Sequence, residues 1–373
     1  MVKKIANAGN PAGGWRLWRA VRSLIWSMSV GGAVIALACA CGSADRHETH
    51  LEKRFAIEQA PDTDSVPLPY LVHPFRWYIR DDKMQIEDLN GEYFGHIFSL
   101  PELKPVCRFG RQGHGPGEYM NPGLACMQCG TDAALFEAIP NRLDIYRLGP
   151  TDSMELVETR QFPEWMKERA IPKAYSRLWQ VKDSLYIGIA FPPRFPEIDL
   201  LNMSVPEVEA TLDFPLQGSE EAGSYPYLFS ASYSNGKLAL AYRYIDRIEV
   251  YDVLPEGFRL DYVIGDGQPQ EELSIRGRDD EMICHYTAVE CDGERILALY
   301  QGCTDARMSG DGVKSAVEIY RASTGEGEVL WNMGRRIDDM SWDAGHETLY
   351  GYSALSDSAL LYVFRSRNPQ ETK

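Results

Sequence analysis

The chain has 373 residues, of which 38 are basic and 54 acidic. Residues 1–40 hold five of the basic side chains and none of the acidic ones, so the rest carries a net charge of −21. Phosphate backbones are held by Lys and Arg that displace counterions, so a chain this acidic is not expected to bind nucleic acid.

The N-terminus is built differently. Lys3, Lys4, Arg16, Arg19 and Arg22 form a positive stretch, Leu24–Ala38 is apolar, and small residues around Cys39 and Cys41 end it. That order is the pattern of a secretory signal peptide. The cysteines set among small residues make it a lipoprotein signal peptide over residues 1–40, with Cys41 the lipidated residue and Cys39 the alternative. An uncleaved anchor is the competing reading, since the charge-free run between Arg22 and Asp45 is long enough to span a bilayer. Gly31-Gly32 weakens such a helix. Both readings place the following chain outside the cytoplasm, with the membrane as its partner through the N-terminal lipid.

Residues 41–66 read as the lipidated N-terminus and a polar tether containing Asp45, Glu48, Glu52, Asp62 and Asp64. From 67 to 368 the chain reads as all-β. Asn141–Leu148, Gly236–Arg243, Arg247–Asp252, Glu294–Tyr300, Ala316–Arg321, Thr348–Tyr352 and Leu360–Phe364 are short β-branched and aromatic runs between turn residues. Only Glu164–Ala170 and Pro206–Ala210 resemble helical turns. The strand pairs recur at roughly 45 to 50 residues, a propeller-blade period. Six blades are predicted near 68–110, 122–163, 175–217, 228–265, 283–334 and 338–366. The barely alternating Ile296–Tyr300 run suits a blade whose two faces are both covered by neighbours. Leu51–Ile57 is predicted to close the last blade and spare the ring an exposed edge.

The sharpest motif lies between the first two blades, from Arg108 to Pro122. Gly110, Gly113, Gly115 and Gly117 permit backbone angles closed to other residues, and Pro116 fixes a turn. A phosphate cradle does not fit: no Lys-Ser/Thr follows, Pro116 removes a donor and Glu118 repels an anion. The motif Phe-Gly-Arg-x-Gly-x-Gly-Pro-Gly-Glu-Tyr resembles the interblade loop of six-bladed NHL- and TolB-like propellers, and within them the TolB-like propeller lipoproteins of Bacteroidales-type bacteria. His285–Val289, Ile296–Gly302, Ile337–Trp342 and Leu349–Gly351 are similar to that family's last two blades. The resemblance implies a six-bladed β-propeller lipid-anchored to the outer membrane in the cell envelope, and assigns the loop a structural role. It implies no activity.

Catalytic signatures are absent from the sequence: there is no G-x-S-x-G elbow and no H-E-x-x-H pair among the seven His residues. Cys107, Cys126, Cys129, Cys284, Cys291 and Cys303 read as structural disulfides or buried thiols, with fifteen possible connectivities. Cys126-Met-Gln-Cys129 lacks both the helix of a redox motif and the second ligand pair of a zinc site. Asp338-Asp339 reads as a solvated turn. His114, Arg243, Tyr244, Arg247 and His285 are the candidate ligand-facing residues. The expected function is therefore a membrane-anchored binding module for a protein, peptide or glycan, with no cofactor, no metal ligand and no catalytic residue assigned. The alternative is a metal-dependent hydrolase or lactonase with a divalent cation in the propeller channel.

Overall fold

The computed structural model describes residues 48–137, 142–162, 175–190, 196–205, 207–216, 218–308, 310, 312–354 and 360–366. They form six sheets, each built on four antiparallel strands. In chain order their first, innermost strands are Pro74–Arg80, Gly123–Ala125, Arg177–Lys182, Phe229–Ser234, Ile283–Cys291 and Asp339–Asp343. Blades 1 to 6 each continue outward from these, and their limits follow the predicted repeat closely.

The ring is held by apolar faces stacked blade on blade. Tyr78, Phe94 and Ile97 of blade 1 pack with Leu124 and Leu135 of blade 2, and Ile187 and Leu200 of blade 3 with Leu238 and Tyr251 of blade 4. Ala239 and Val250 meet Val289 and Ile296 of blade 5, and Leu297 and Val317 meet Met340 and Leu349 of blade 6. Leu361 and Val363 then return to Trp77 and Ile86, closing the circle. Ile296, Leu297, Ala298 and Leu299 are all fully buried because successive side chains enter opposite interfaces. Each such Leu or Ile stabilises the fold by about 1.5–3 kcal/mol.

The closing strand is Asp62–Pro67, paired antiparallel with Leu360–Arg365, and not Leu51–Ile57 as expected. It lies on the rim with one edge in water, so its polar sequence carries no penalty and no apolar signature. The segment read as tether is therefore laid along three blades from residue 50 onward. His50–Leu51 adds a parallel fifth strand to blade 4, Ile57–Gln59 does so for blade 5, and Asp62–Pro67 completes blade 6. Lys53 fastens this strap by pairing with Asp246, lying 3.5 Å from Glu318, and resting over the rings of Tyr286 and Tyr300.

One helical expectation is revised. Residues 207–211 form the outer strand of blade 3, as their period-two burial requires, while 164–170 lie outside the described residues. Short helices occur instead at Glu271–Ile275 and Asp305–Met308.

Candidate functional site: the central channel and its lower mouth

Because strands alternate in direction within each blade, all innermost strands start at one face of the ring, called upper here, and end at the other. Blade 1 supplies Arg76, Tyr78 and Arg80 two residues apart, so they share one side of their strand. With Arg177, Ser230, Ser232, Glu290 and Asp339 they line one enclosed void along the channel. Asp339 opens the inner strand of blade 6 and faces this void; it is not the solvated turn expected. Asp338, its neighbour, accepts from Arg336 Nε at 2.6 Å and from the Ala354 amide at 2.7 Å.

The channel charges are incompletely matched. Arg76 Nη1 donates to Glu87 Oε2 at 3.1 Å, which also accepts the Leu124 amide at 2.8 Å. Arg80 donates to the carbonyls of Ile79 and Tyr233, and Arg177 Nη1 donates to the Ala231 carbonyl at 3.2 Å. Among the described residues Arg80, Arg177, Glu290 and Asp339 form no ion pair. Burial pushes the Glu290 carboxyl up to about 7 against the opposing pull of Arg80. Burial likewise raises Asp339 to about 6, with Arg177 the main opposing charge.

Below Arg80 and Glu290 the channel widens into a pocket of about 230 Å³ at the lower face. Its walls come from the strand ends: Asp81, Ser234, Asp292, Trp342 and Asp343. Asp81 accepts the Gly130 amide at 2.9 Å, Asp292 the Trp342 indole N–H at 2.8 Å, and Asp343 the Gly345 amide at 3.0 Å. The walls are thus rigid, polar on most sides and apolar at Trp342.

The sequence-named residues lie elsewhere, and most are engaged internally. In the interblade loop, Glu118 accepts the Gly115 amide at 2.7 Å. A Cβ at Gly113 would fall 1.9 Å from the Glu118 carboxylate, and Gly110 and Gly117 have φ of +67° and +77°. The loop ends in the buried Tyr119, whose hydroxyl donates to Asp144 at 2.6 Å. His114 at its tip is exposed, and Pro116 is exposed beside it. Arg243, Tyr244, Arg247 and His285 do come together, at the upper face between blades 4 and 5. Arg243 Nη2 donates to Asp305 at 2.8 Å, the Tyr244 and Tyr225 rings stack at 5.0 Å, and the His285 amide donates to the Arg243 carbonyl at 2.6 Å. Arg247 is 2% exposed, with Nε on Glu249 at 2.7 Å and Nη2 on Glu48 at 2.9 Å. His285 Nδ1 lies 3.8 Å from Asp246, and burial lowers the imidazole's affinity for a proton. Cys41 lies outside the described residues.

Sequence reasoning missed Arg76, Arg80 and Arg177. Their signal was charge at every second position inside otherwise apolar first strands, which a solvated-strand reading also explains. The six described cysteines are thiols in this structure. Burial pushes Cys126 up to about 11 and Cys291 to about 12, so neither is activated. Among the described residues no three His, Cys, Asp or Glu side chains converge as a metal site, and no ligand set for a channel cation can be named from them.

No curated protein matches this sequence. Among solved structures, the chain is similar to a member of the duf4221 family from Bacteroides vulgatus ATCC 8482, with 14% identity and a TM-score of 0.59 over 82% of this chain and 96% of that one. It is also similar to a protein provisionally named as exported, from Bacteroides fragilis NCTC 9343, with 10% identity and a TM-score of 0.55 over 86% and 100%. These likenesses are of fold. Residues 53–320 match the family described as TolB-like 6-blade propeller-like, which spans most of the ring, and the chain belongs to that family.

Proposed function

We propose that this protein is an exported, lipid-anchored protein of the cell envelope whose propeller is a binding module, receiving its ligand in the lower mouth of the channel. The observation that carries the reading is the 230 Å³ pocket, open to the lower face and floored by Arg80 and Glu290, which form no ion pair among the described residues. Pockets of this kind combine a few fixed polar groups with an apolar wall, and this one is sized for a small fragment. The end of a peptide or one sugar of a glycan fits that description better than a whole protein surface. The provisional name of the Bacteroides fragilis neighbour and the lipoprotein pattern ending at Cys41 support the location.

Two experiments test the reading. Metabolic labelling with a palmitate analogue should mark the wild-type protein, and Cys41→Ala should abolish the label. Peptides and envelope glycan fragments are then screened by calorimetry against the wild type and Ser234→Trp, which fills the mouth. A hit should bind the filled variant at least tenfold more weakly. Equal binding to both would move the site away from the channel.

A further inference from the structure

Exposed apolar side chains are unevenly spread over the ring. Among the described residues eleven large hydrophobic side chains are exposed, and seven of them stand at the upper face. Tyr70, Val72 and Phe75 flank the start of blade 1, Met120 precedes blade 2, Tyr225 precedes blade 4, and Ile275 and Ile283 stand at the entry to blade 5. Their backbone is pinned: the Val72 amide donates to Asp88 at 2.9 Å, the Met120 amide to Glu137 at 3.0 Å and the Ile283 amide to Gln270 at 2.9 Å. Of the other four, Ile57, Leu156 and Val157 lie on outer strands at the rim, and Val205 lies in a turn at the lower face. One exposed Val or Tyr needs no explanation, but a one-sided set marks a contact surface. In a ring of six, blade 1 stands opposite blade 4 and blade 2 opposite blade 5. The tips therefore surround the channel axis instead of lining one groove, and a broad flat partner meets them together.

The chain also enters the ring at the upper face. Glu48 accepts from Arg247 Nη2 at 2.9 Å, the Thr49 carbonyl from the Val263 amide at 3.0 Å, and the Leu51 carbonyl from the Gly265 amide at 3.0 Å. Six residues separate Glu48 from Cys41, and a chain of that length reaches at most about 25 Å. The nine residues Ile283–Cys291 of one inner strand already run about 30 Å from the upper face toward the lower. A lipid on Cys41 cannot then sit beneath the lower face while Glu48 holds Arg247. The short leash leaves the upper face or the adjoining rim against the bilayer, and the apolar tips select the upper face.

We infer that the upper face rests on the lipid surface, with these tips at the headgroup boundary and the lower mouth turned toward solution. The inference depends on the lipid anchor proposed at Cys41. Tyr70 and Tyr225 suit that boundary, each with an apolar ring and a polar tip. The net charge of −21 beyond residue 40 gives no attraction to anionic headgroups, so the contact is apolar.

The test uses the full lipidated chain on phosphatidylcholine vesicles that carry nitroxide on some headgroups. Cys129, exposed in the lower turn of blade 2, takes a bimane label in the native sequence. Met120→Cys combined with Cys129→Ser takes it at the upper face, and Cys129→Ser alone gives the blank for the remaining thiols. Quenching should be at least threefold stronger at position 120 than at 129, since surface-lying apolar groups enter the boundary by about 5–10 Å. Adding Val72→Asp and Ile275→Asp should at least halve the quenching at 120 while the protein still floats with the vesicles. Equal quenching of the two labels would overturn the orientation, and unchanged quenching in the Asp variant would overturn the apolar contact. Excimer emission from pyrene at position 120 would mean that the tips meet a second copy, which overturns it as well. Strong quenching at Cys129 in the native chain overturns it even where no variant folds. A native chain that fails to float would instead overturn the anchor at Cys41, and this inference with it.

Discussion

The upper face between blades 4 and 5 and the central channel are built from the same residue types and use them oppositely. At the upper face three cations have their anions: Arg243 with Asp305, Arg247 with Glu249 and Glu48, Lys53 with Asp246. In the channel Arg80 and Arg177 meet carbonyls, while Glu290 and Asp339 stand without a counter-ion among the described residues. Paired charges hold a fold, and removing one leaves the other stranded. Unpaired enclosed charges hold open a place for something else. A cluster of Arg, Tyr and His is thus not by itself a binding face; the pairing decides.

The largest expected effect that would break this contrast is at Arg247. Its removal leaves Glu249 fully buried with a charge and no cation, so Arg247→Ala should cost about 3–5 kcal/mol in denaturant unfolding. A loss below 1 kcal/mol would mean the upper-face pairs are not structural. Glu290→Gln sharpens the other half. The carboxyl titrates higher in the fold than in the unfolded chain, so its protonated form favours the fold below the ordinary carboxylate range. That contribution fades as pH rises through about 7. The variant should therefore be more stable than the wild type at pH 8, by an amount on the order of 1–3 kcal/mol, and equal to it near pH 4. Thermal melts across pH check the crossing, and a gain independent of pH would place Glu290 outside the enclosed void.

Smaller effects follow at the edges. Lys53→Met keeps the stem against Tyr286 and Tyr300 but strands Asp246, and should cost about 0.5–1 kcal/mol while exposing the strap to protease. A variant whose strap resists cleavage like the wild type would show that edge pairing alone holds it. His114→Ala should change stability by less than about 0.5 kcal/mol, since the side chain is exposed at the loop tip. It should also leave ligand binding at the lower mouth unchanged, because the loop lies at the upper face.

Much of the ring is legible in the sequence. Blade limits follow from turn residues spaced at the length of a four-strand sheet, and runs such as Ile296–Leu299 announce strands covered on both faces. The glycine loop was legible as structure because its φ angles and its crowding against Glu118 are local matters. The site was far less legible. Asp339 and Asp338 are neighbours of one residue type, yet one faces the channel and the other ties down Arg336 and Ala354. Nothing within a few residues of either predicts that division.

The sequence by itself determined the kind of unit and how many there are, because strand period and turn chemistry act over a few residues. Tertiary structure decided which polar strand closes the ring, since a rim strand needs no apolar face and therefore carries no pattern. It also decided which charges are spent. Glu48 reaches Arg247 across 199 residues, and the walls of the channel come from five different blades. Partners so distant in the chain meet only when the sheets close into a ring, and whether a charge is paired or left waiting is settled there.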